Sequence, residues 1–283
     1  MPLWKRLLRL VALLILTPVF FLLGCQSRLI YFPNSYRAEY ESQLRSAKGE
    51  RVRFTTSQGA QTAFYIPPRT TAGGLPQTVW LCFAGNGSLA LDWLAWTDDW
   101  DPNFAYLLVD YPSYGECAGK PSPGTIRESG KAAAEALAAH LHTPMTELQP
   151  HLAVLGHSLG SAAALMTAEE LDVHRGVLLS PFTTMTDMGR IVLGWPLCHL
   201  NLHRFDNHKT LRHAAARPGA RFVIFHGAED EVIPMRMGQE LAAAHPQTVT
   251  FHPVSGGHHN DLLNLISPQI GRAMEEVTRE VKK

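Results

Sequence analysis

A chain of 283 residues with 46% hydrophobic content is long enough to bury one large core, so a single main domain is expected. Its 25 Lys and Arg residues balance 25 Asp and Glu. No basic block outside the N-terminus could track a phosphate backbone, which argues against a nucleic-acid partner.

The first residues read MPLWKRLLRLVALLILTPVFFLLGCQS, with Lys5, Arg6 and Arg9 ahead of an apolar run that starts at Leu10 and contains Pro18. A basic region followed by an apolar one and a small residue is the layout of a secretory signal. The uncharged run, at roughly 15 residues, is short against the about 20 that cross a bilayer, so a cleaved signal over 1–24 is expected in preference to a spanning helix. The residues LLGC resemble the bacterial lipobox, although Leu23 replaces the small residue usual before the glycine. That resemblance implies cleavage before Cys25 and acylation of its sulfur and amine, so that membrane lipid is a partner through Cys25. An uncleaved anchor is the alternative, and in either case the domain lies on the periplasmic side of a bacterial cell envelope. Gln26, uncharged after the cysteine, points towards the outer membrane. Residues 25–50 read as anchor and linker. Cys82, Cys117 and Cys198 then form an odd set without metal spacing, and Cys82, inside an apolar run, reads as a core residue.

From residue 51 to the end the chain reads as one α/β domain. RVRFTTSQG and AQTAFYIPP form an antiparallel pair around Ser57–Gly59. TVWLCFAG and FAYLLVDYPSYG are strands on either side of LDWLAWTDDW, which reads as an amphipathic helix with its tryptophans against the sheet. The next helix, TIRESGKAAAEALAAHLHT, carries Thr125 and Glu128 at capping-box spacing. HLAVLGHS is a strand, Leu159 to Leu171 a helix, and RGVLLSPF a strand. An irregular stretch over 183–217 follows, then the strand RFVIFHG, a helix near Pro234, the strand QTVTFHPV and a last helix from Asn260. Continuous apolar strands separated by helices indicate a mostly parallel sheet covered on both faces. An insertion after a strand's C-terminal end sits over the ligand crevice, so 183–217 is a candidate lid.

Gly156, Ser158 and Gly160 in GHSLG satisfy G-x-S-x-G between a strand and a helix. This is the nucleophile elbow, in which glycines let two backbones pass beside a strained serine. A serine hydroxyl needs a base that is itself held by an acid, and two later strand-end turns, AEDEVIP and SGGHHND, offer both in the order Ser, Asp, His.

With RLIYFP, FAGNG, DYPSYGECAGKPS, SPFT, RFDN, HGAEDEVIP and GGHHND in the same order, the chain from about Leu29 onward resembles the α/β-hydrolases, in particular the N-terminally anchored abhydrolase-domain type. The resemblance implies that Ser158 is the nucleophile and that Asp230 is the acid, because Gly227, Ile233 and Pro234 hold its register. Two readings of the base remain: the glycines select His258, whereas Asn260 and Asp261 select His259, and His259 is preferred with His258 as the alternative. The oxyanion hole is expected from the backbone N–H groups of Leu159 and Asn86. Ala84 stands where the family has a histidine that braces this loop, and Pro112 and Ser113 replace Arg-Gly, which is expected to alter the pocket rim.

The implied activity is a cofactor-independent serine hydrolase acting on acyl esters or thioesters, with a serine peptidase as a variant and a non-catalytic lipoprotein scaffold as the alternative. His199 and His203 are four apart but lack an acidic third ligand, so no metal is expected. FAGNG lacks the spacing of a nucleotide loop, so no nucleotide cofactor is expected either. His226, directly after a strand, reads as a packed residue rather than a catalytic one. Among the tryptophans, Trp80 reads as core, and Trp93, Trp96, Trp100 and Trp195 are second candidates for an aromatic pocket.

Overall fold

The computed structural model describes residues 2–70 and 74–279. Helix α1 (Leu3–Ile30) runs unbroken through Pro18 and carries an 18-residue window of mean hydropathy 2.4, long and apolar enough by composition to cross a membrane. A signal sequence meets the same description. Helix α2 (Ala38–Ser46) leads into strands β1 (Glu50–Thr56) and β2 (Gly59–Ile66), which pair antiparallel around the expected turn.

Strands β3 (Thr78–Phe83), β4 (Phe104–Val109), β5 (Leu152–His157), β6 (Arg175–Leu179), β7 (Arg221–Gly227) and β8 (Val249–Val254) complete an eight-stranded sheet in the order β1-β2-β4-β3-β5-β6-β7-β8. All neighbours from β4 to β8 are parallel, while β2 meets β4 antiparallel. The connecting helices are α3 (Pro123–His140), the single turn α4 (Met145–Leu148), α5 (Leu159–Leu171), α6 (Met185–Leu193), α7 (Asn207–Ala215), α8 (Arg236–Ala243) and α9 (Leu262–Thr278).

Every residue of β3 and β4 is buried, which explains their unalternating apolar sequences: both faces of the sheet are covered. On one face Leu81, Val154, Leu178 and Ile224 pack with residues of α3, α5, α7 and α8. On the other, Trp80, Leu155, Val177 and Val223 pack with Ile270 and Met274 of α9.

Four local expectations are corrected. LDWLAWTDDW folds as two short 3-10 helices, Ala90–Ala95 and Thr97–Asp99, with Trp93 and Trp100 buried beside α9. The α3 cap is Ser122, whose hydroxyl accepts from the Thr125 N–H, because Glu128 is engaged elsewhere, accepting from the Ser57 N–H at 2.7 Å. The stretch 183–217 contains α6 and α7, capped by Thr184 and Asp206. The final helix, expected from about Asn260, begins at Leu262.

Candidate active site

Ser158 sits between β5 and α5 with φ +55° and ψ −119°, a backbone conformation that side-chain-bearing residues rarely adopt. Two close approaches hold it there. A Cβ on Gly156 would run into the backbone of Gly160 and Ser161, and one on Gly160 would meet the carbonyl oxygens of Phe83 and Ala84. The Ser158 N–H donates to the Leu179 carbonyl at 2.9 Å, so β6 fixes the turn from the other side.

Three side chains from separate turns converge. Ser158 Oγ lies 2.9 Å from His259 Nε2, and His259 Nδ1 lies 2.9 Å from Asp230 Oδ2 and 3.1 Å from Oδ1. Asp230 comes from the turn after β7 and His259 from the turn after β8. His259 is 6% exposed and Asp230 is fully buried at its side chain, which keeps water from competing for these bonds. His258 is elsewhere: its ring is half-exposed and its Nδ1 faces Glu231 at 3.2 Å.

Burial alone would raise the Asp230 pKa. Hydrogen bonds from His226, from His259 and from the Ile233 N–H outweigh it and hold the carboxyl well below the usual range, so it stays ionised. His226 therefore does more than fill space. Its Nε2 lies 2.8 Å from the Ile233 carbonyl and 3.3 Å from Asp230 Oδ2, two acceptors that require the proton on that nitrogen. His157 has a comparable place behind His259. Its Nε2 donates to the His259 carbonyl at 2.9 Å, the two rings lie 5.0 Å apart, and burial followed by the neighbouring His259 lowers its pKa to about 4. Neither contact carries a sequence signature beyond the histidines themselves.

Leu159 opens α5, and the first N–H groups of a helix have no partner within it. Asn86 lies in the turn after β3, held by two sets of bonds. The Tyr111 hydroxyl donates to the Ala84 carbonyl at 2.6 Å, so the DYPSYG segment braces this loop. The Asn86 side chain accepts from Tyr114 Oη at 2.7 Å and the Phe32 N–H at 3.0 Å, and donates to the Ile30 carbonyl at 2.6 Å. Asn86 is thus tied directly to the end of α1.

A cavity of about 650 Å³ opens over Ser158, with Asn86, Leu159 and His259 in its wall. Met185, Met188, Val192 and Leu193 of α6 form one side, and Leu29, Ile30 and Phe32 at the end of α1 another. Pro112 and Ser113 do not line it, so the expectation that they shape its rim is corrected, and none of the tryptophans lines it either. His203 is bonded to Ser27 Oγ and Tyr31 Oη, each at 3.1 Å, and among the described residues no group of three or more His, Cys, Asp or Glu side chains could hold a metal ion.

Solved structures share this architecture. The protein resembles an alpha-beta hydrolase from Vibrio vulnificus with TM-score 0.65 at 18% identity, covering 84% of this chain and 87% of that one. The fold is the α/β-hydrolase fold. An esterase of Pyrococcus furiosus matches with TM-score 0.61 at 13% identity, over 87% of this chain and 98% of its own. A serine hydrolase without lid from Xanthomonas campestris matches with TM-score 0.55 at 15% identity, over 82% and 94%. By sequence, the model of the alpha/beta hydrolase family matches residues 73–205. An uncharacterized protein of Mycobacterium tuberculosis is 28% identical over 253 residues, 89% of this chain and 86% of that protein.

Proposed function

We propose that this protein is a serine hydrolase that cleaves carboxylic ester or thioester bonds through an acyl-enzyme on Ser158. The observation that carries the reading is the chain Ser158 Oγ, His259, Asp230 with both links at 2.9 Å, opening onto an apolar cavity. His259 Nε2 takes the hydroxyl proton as Oγ attacks the acyl carbonyl, while ionised Asp230 holds Nδ1–H and stabilises the imidazolium. The carbonyl oxygen, now an oxyanion, accepts from the Leu159 and Asn86 N–H groups. Collapse expels the alcohol or thiol, which leaves with the proton from His259. A water molecule then gives its proton to His259 and attacks the acyl carbonyl, and His259 returns that proton to Ser158 Oγ as the acid departs.

The reading extends to place: α1 holds the protein at a membrane, either uncleaved or, after processing, through an acylated Cys25. Lys5, Arg6 and Arg9 before the apolar run favour the domain on the non-cytoplasmic side of a bacterial envelope.

Fluorophosphonate labelling of the full chain in detergent tests the chemistry. The full chain is needed because Gln26 donates to the Leu200 carbonyl and accepts from the Leu202 N–H, so a fragment starting at Ser27 would lose a built contact. Label is expected on Ser158 alone, abolished by Ser158→Ala and His259→Ala and kept by His258→Ala. Turnover of an acyl ester should fall by about 10⁶ in Ser158→Ala. A folded protein that takes no label and hydrolyses no ester would overturn the reading.

A further inference from the structure

Beside the active-site cavity, a patch of exposed apolar side chains lies between residues 191 and 202. Ile191, Val192, Leu193, Trp195, Leu197 and Leu202 all stand out from the end of α6 and the loop behind it, with Val192 75%, Trp195 77% and Leu202 66% exposed. Water-facing surfaces rarely gather so many large apolar groups in one short segment. The contacts of this segment indicate what covers it.

The loop is clamped to α1 at a defined height. The Gln26 side chain is 5% exposed, donates to the Leu200 carbonyl at 2.7 Å and accepts from the Leu202 N–H at 2.7 Å. His203 adds the bonds to Ser27 and Tyr31. Gln26 lies only three residues after Leu23, about 4.5 Å along a helix, so Leu202 stands where the apolar run of α1 ends. Whether α1 remains as an anchor or Cys25 carries acyl chains, that height is the membrane surface. Phe32 and Leu29, each 55% exposed, continue the apolar surface below the clamp and also line the cavity.

We propose that residues 191–202, together with Leu29 and Phe32, form a face that inserts into the lipid bilayer, and that the substrate is a bilayer-resident long-chain acyl ester entering the cavity between α6 and the end of α1. The second half rests on the hydrolase reading above. The first half rests on the clamp, the patch and the membrane attachment proposed above, and not on the chemistry at Ser158. An acyl chain following this route passes Val192, Leu193 and Met188 on one side and Leu29, Ile30 and Phe32 on the other, all of which line the cavity over Ser158.

The test reconstitutes the full chain in phosphatidylcholine–phosphatidylglycerol vesicles whose acyl chains carry bromine, which quenches tryptophan at short range. The Trp195 signal is taken as the difference between wild type and Trp195→Phe, which removes the contribution of Trp4 on α1. Bromine is expected to reduce this difference by at least about half, as for a side chain within the acyl-headgroup boundary. A difference equal to that in bromine-free vesicles would overturn the docking face. Trp195→Glu with Leu202→Glu, neither of which lines the cavity, should leave fluorophosphonate labelling of Ser158 in detergent unchanged. The same pair should lower kcat/KM for a long-chain ester held in the vesicles by about tenfold. Equal loss on a short soluble ester would overturn the delivery route. Quenching without labelling in any variant would keep the docking face and sink the hydrolase reading, so the two failures are distinct.

Discussion

Asn86 offers a sharp test of how the site is held, because its backbone and side chain have separable roles. Asn86→Ala keeps the backbone N–H proposed for the oxyanion and removes three hydrogen bonds, to Tyr114 Oη, the Phe32 N–H and the Ile30 carbonyl. Each bond is worth about 0.5–1.5 kcal/mol net, and because the Phe32 end is exposed, water replaces part of the loss, leaving about 2 kcal/mol of destabilisation. Loss of a whole oxyanion donor costs about 10²–10³ in kcat; a donor still present but less firmly aimed should cost about 10- to 100-fold. Asn86→Asp separates charge from tethering. Its carboxylate still accepts from Tyr114 and Phe32, but the Ile30 carbonyl loses its donor and faces an oxygen instead, so stability should fall as well, and the charge beside the developing oxyanion should depress kcat further than alanine does. The assay is turnover of a short-chain chromogenic ester by the full chain in detergent, with denaturant unfolding in parallel. Asn86→Ala with kcat within about twofold of wild type would refute the idea that the tether to α1 sets the hole.

Two further outcomes follow from the burial and packing around Ser158. The pKa of His157 is lowered to about 4 against an ordinary 6.5, so as pH falls the unfolded chain takes up this proton first. Its contribution to stability is present above pH 6.5 and is lost as pH falls towards 4, by at most about 3 kcal/mol and less to the extent that solvent reaches the ring. Denaturant unfolding of wild type and His157→Gln between those limits should therefore show wild type losing more stability on acidification, and parallel profiles would contradict the assignment. Gly160→Ala should destabilise by about 3 kcal/mol and abolish labelling, because the added Cβ meets the carbonyl oxygens of Phe83 and Ala84, backbone atoms that cannot rotate away; an unchanged unfolding midpoint would show that the strand ends are looser than described.

What could be read from the sequence depended on how local the physics was. The apolar strands β3 to β7 announce themselves as continuous runs because the sheet is covered on both faces. Ser158, Asp230 and His259 each stand in a turn directly after a strand, where a short pattern suffices to mark them, and geometry distinguishes His259 from His258 only because one ring faces the cavity and the other faces Glu231. The capping signals of α6 and α7 are present in Thr184–Asp187 and Asp206–Lys209, but both helices are short and the stretch between them is irregular, so no sustained period marks them. LDWLAWTDDW misleads because the seven-residue spacing of Trp93 and Trp100 fits an α-helical period, whereas the chain breaks between two short 3-10 helices and Trp100 lies just past the second.

The contacts that escaped sequence reading join residues far apart in the chain. Gln26 reaches Leu200 across 174 positions and Asn86 reaches Ile30 across 56, and a lone glutamine or asparagine gives no hint of its partner. Yet these bonds change what the N-terminus is for. A segment that served only for targeting would need no side-chain contact with the folded domain, whereas here Ile30 and Phe32 hold the Asn86 side chain and Leu29 lines the cavity. Processing before Cys25 would leave every one of these contacts in place, since the first of them is made by Gln26. On the proposed function, membrane attachment and alignment of the oxyanion loop would share one short stretch of chain, so a force or displacement that pulls residues 26–32 off the domain would loosen the loop that holds Asn86.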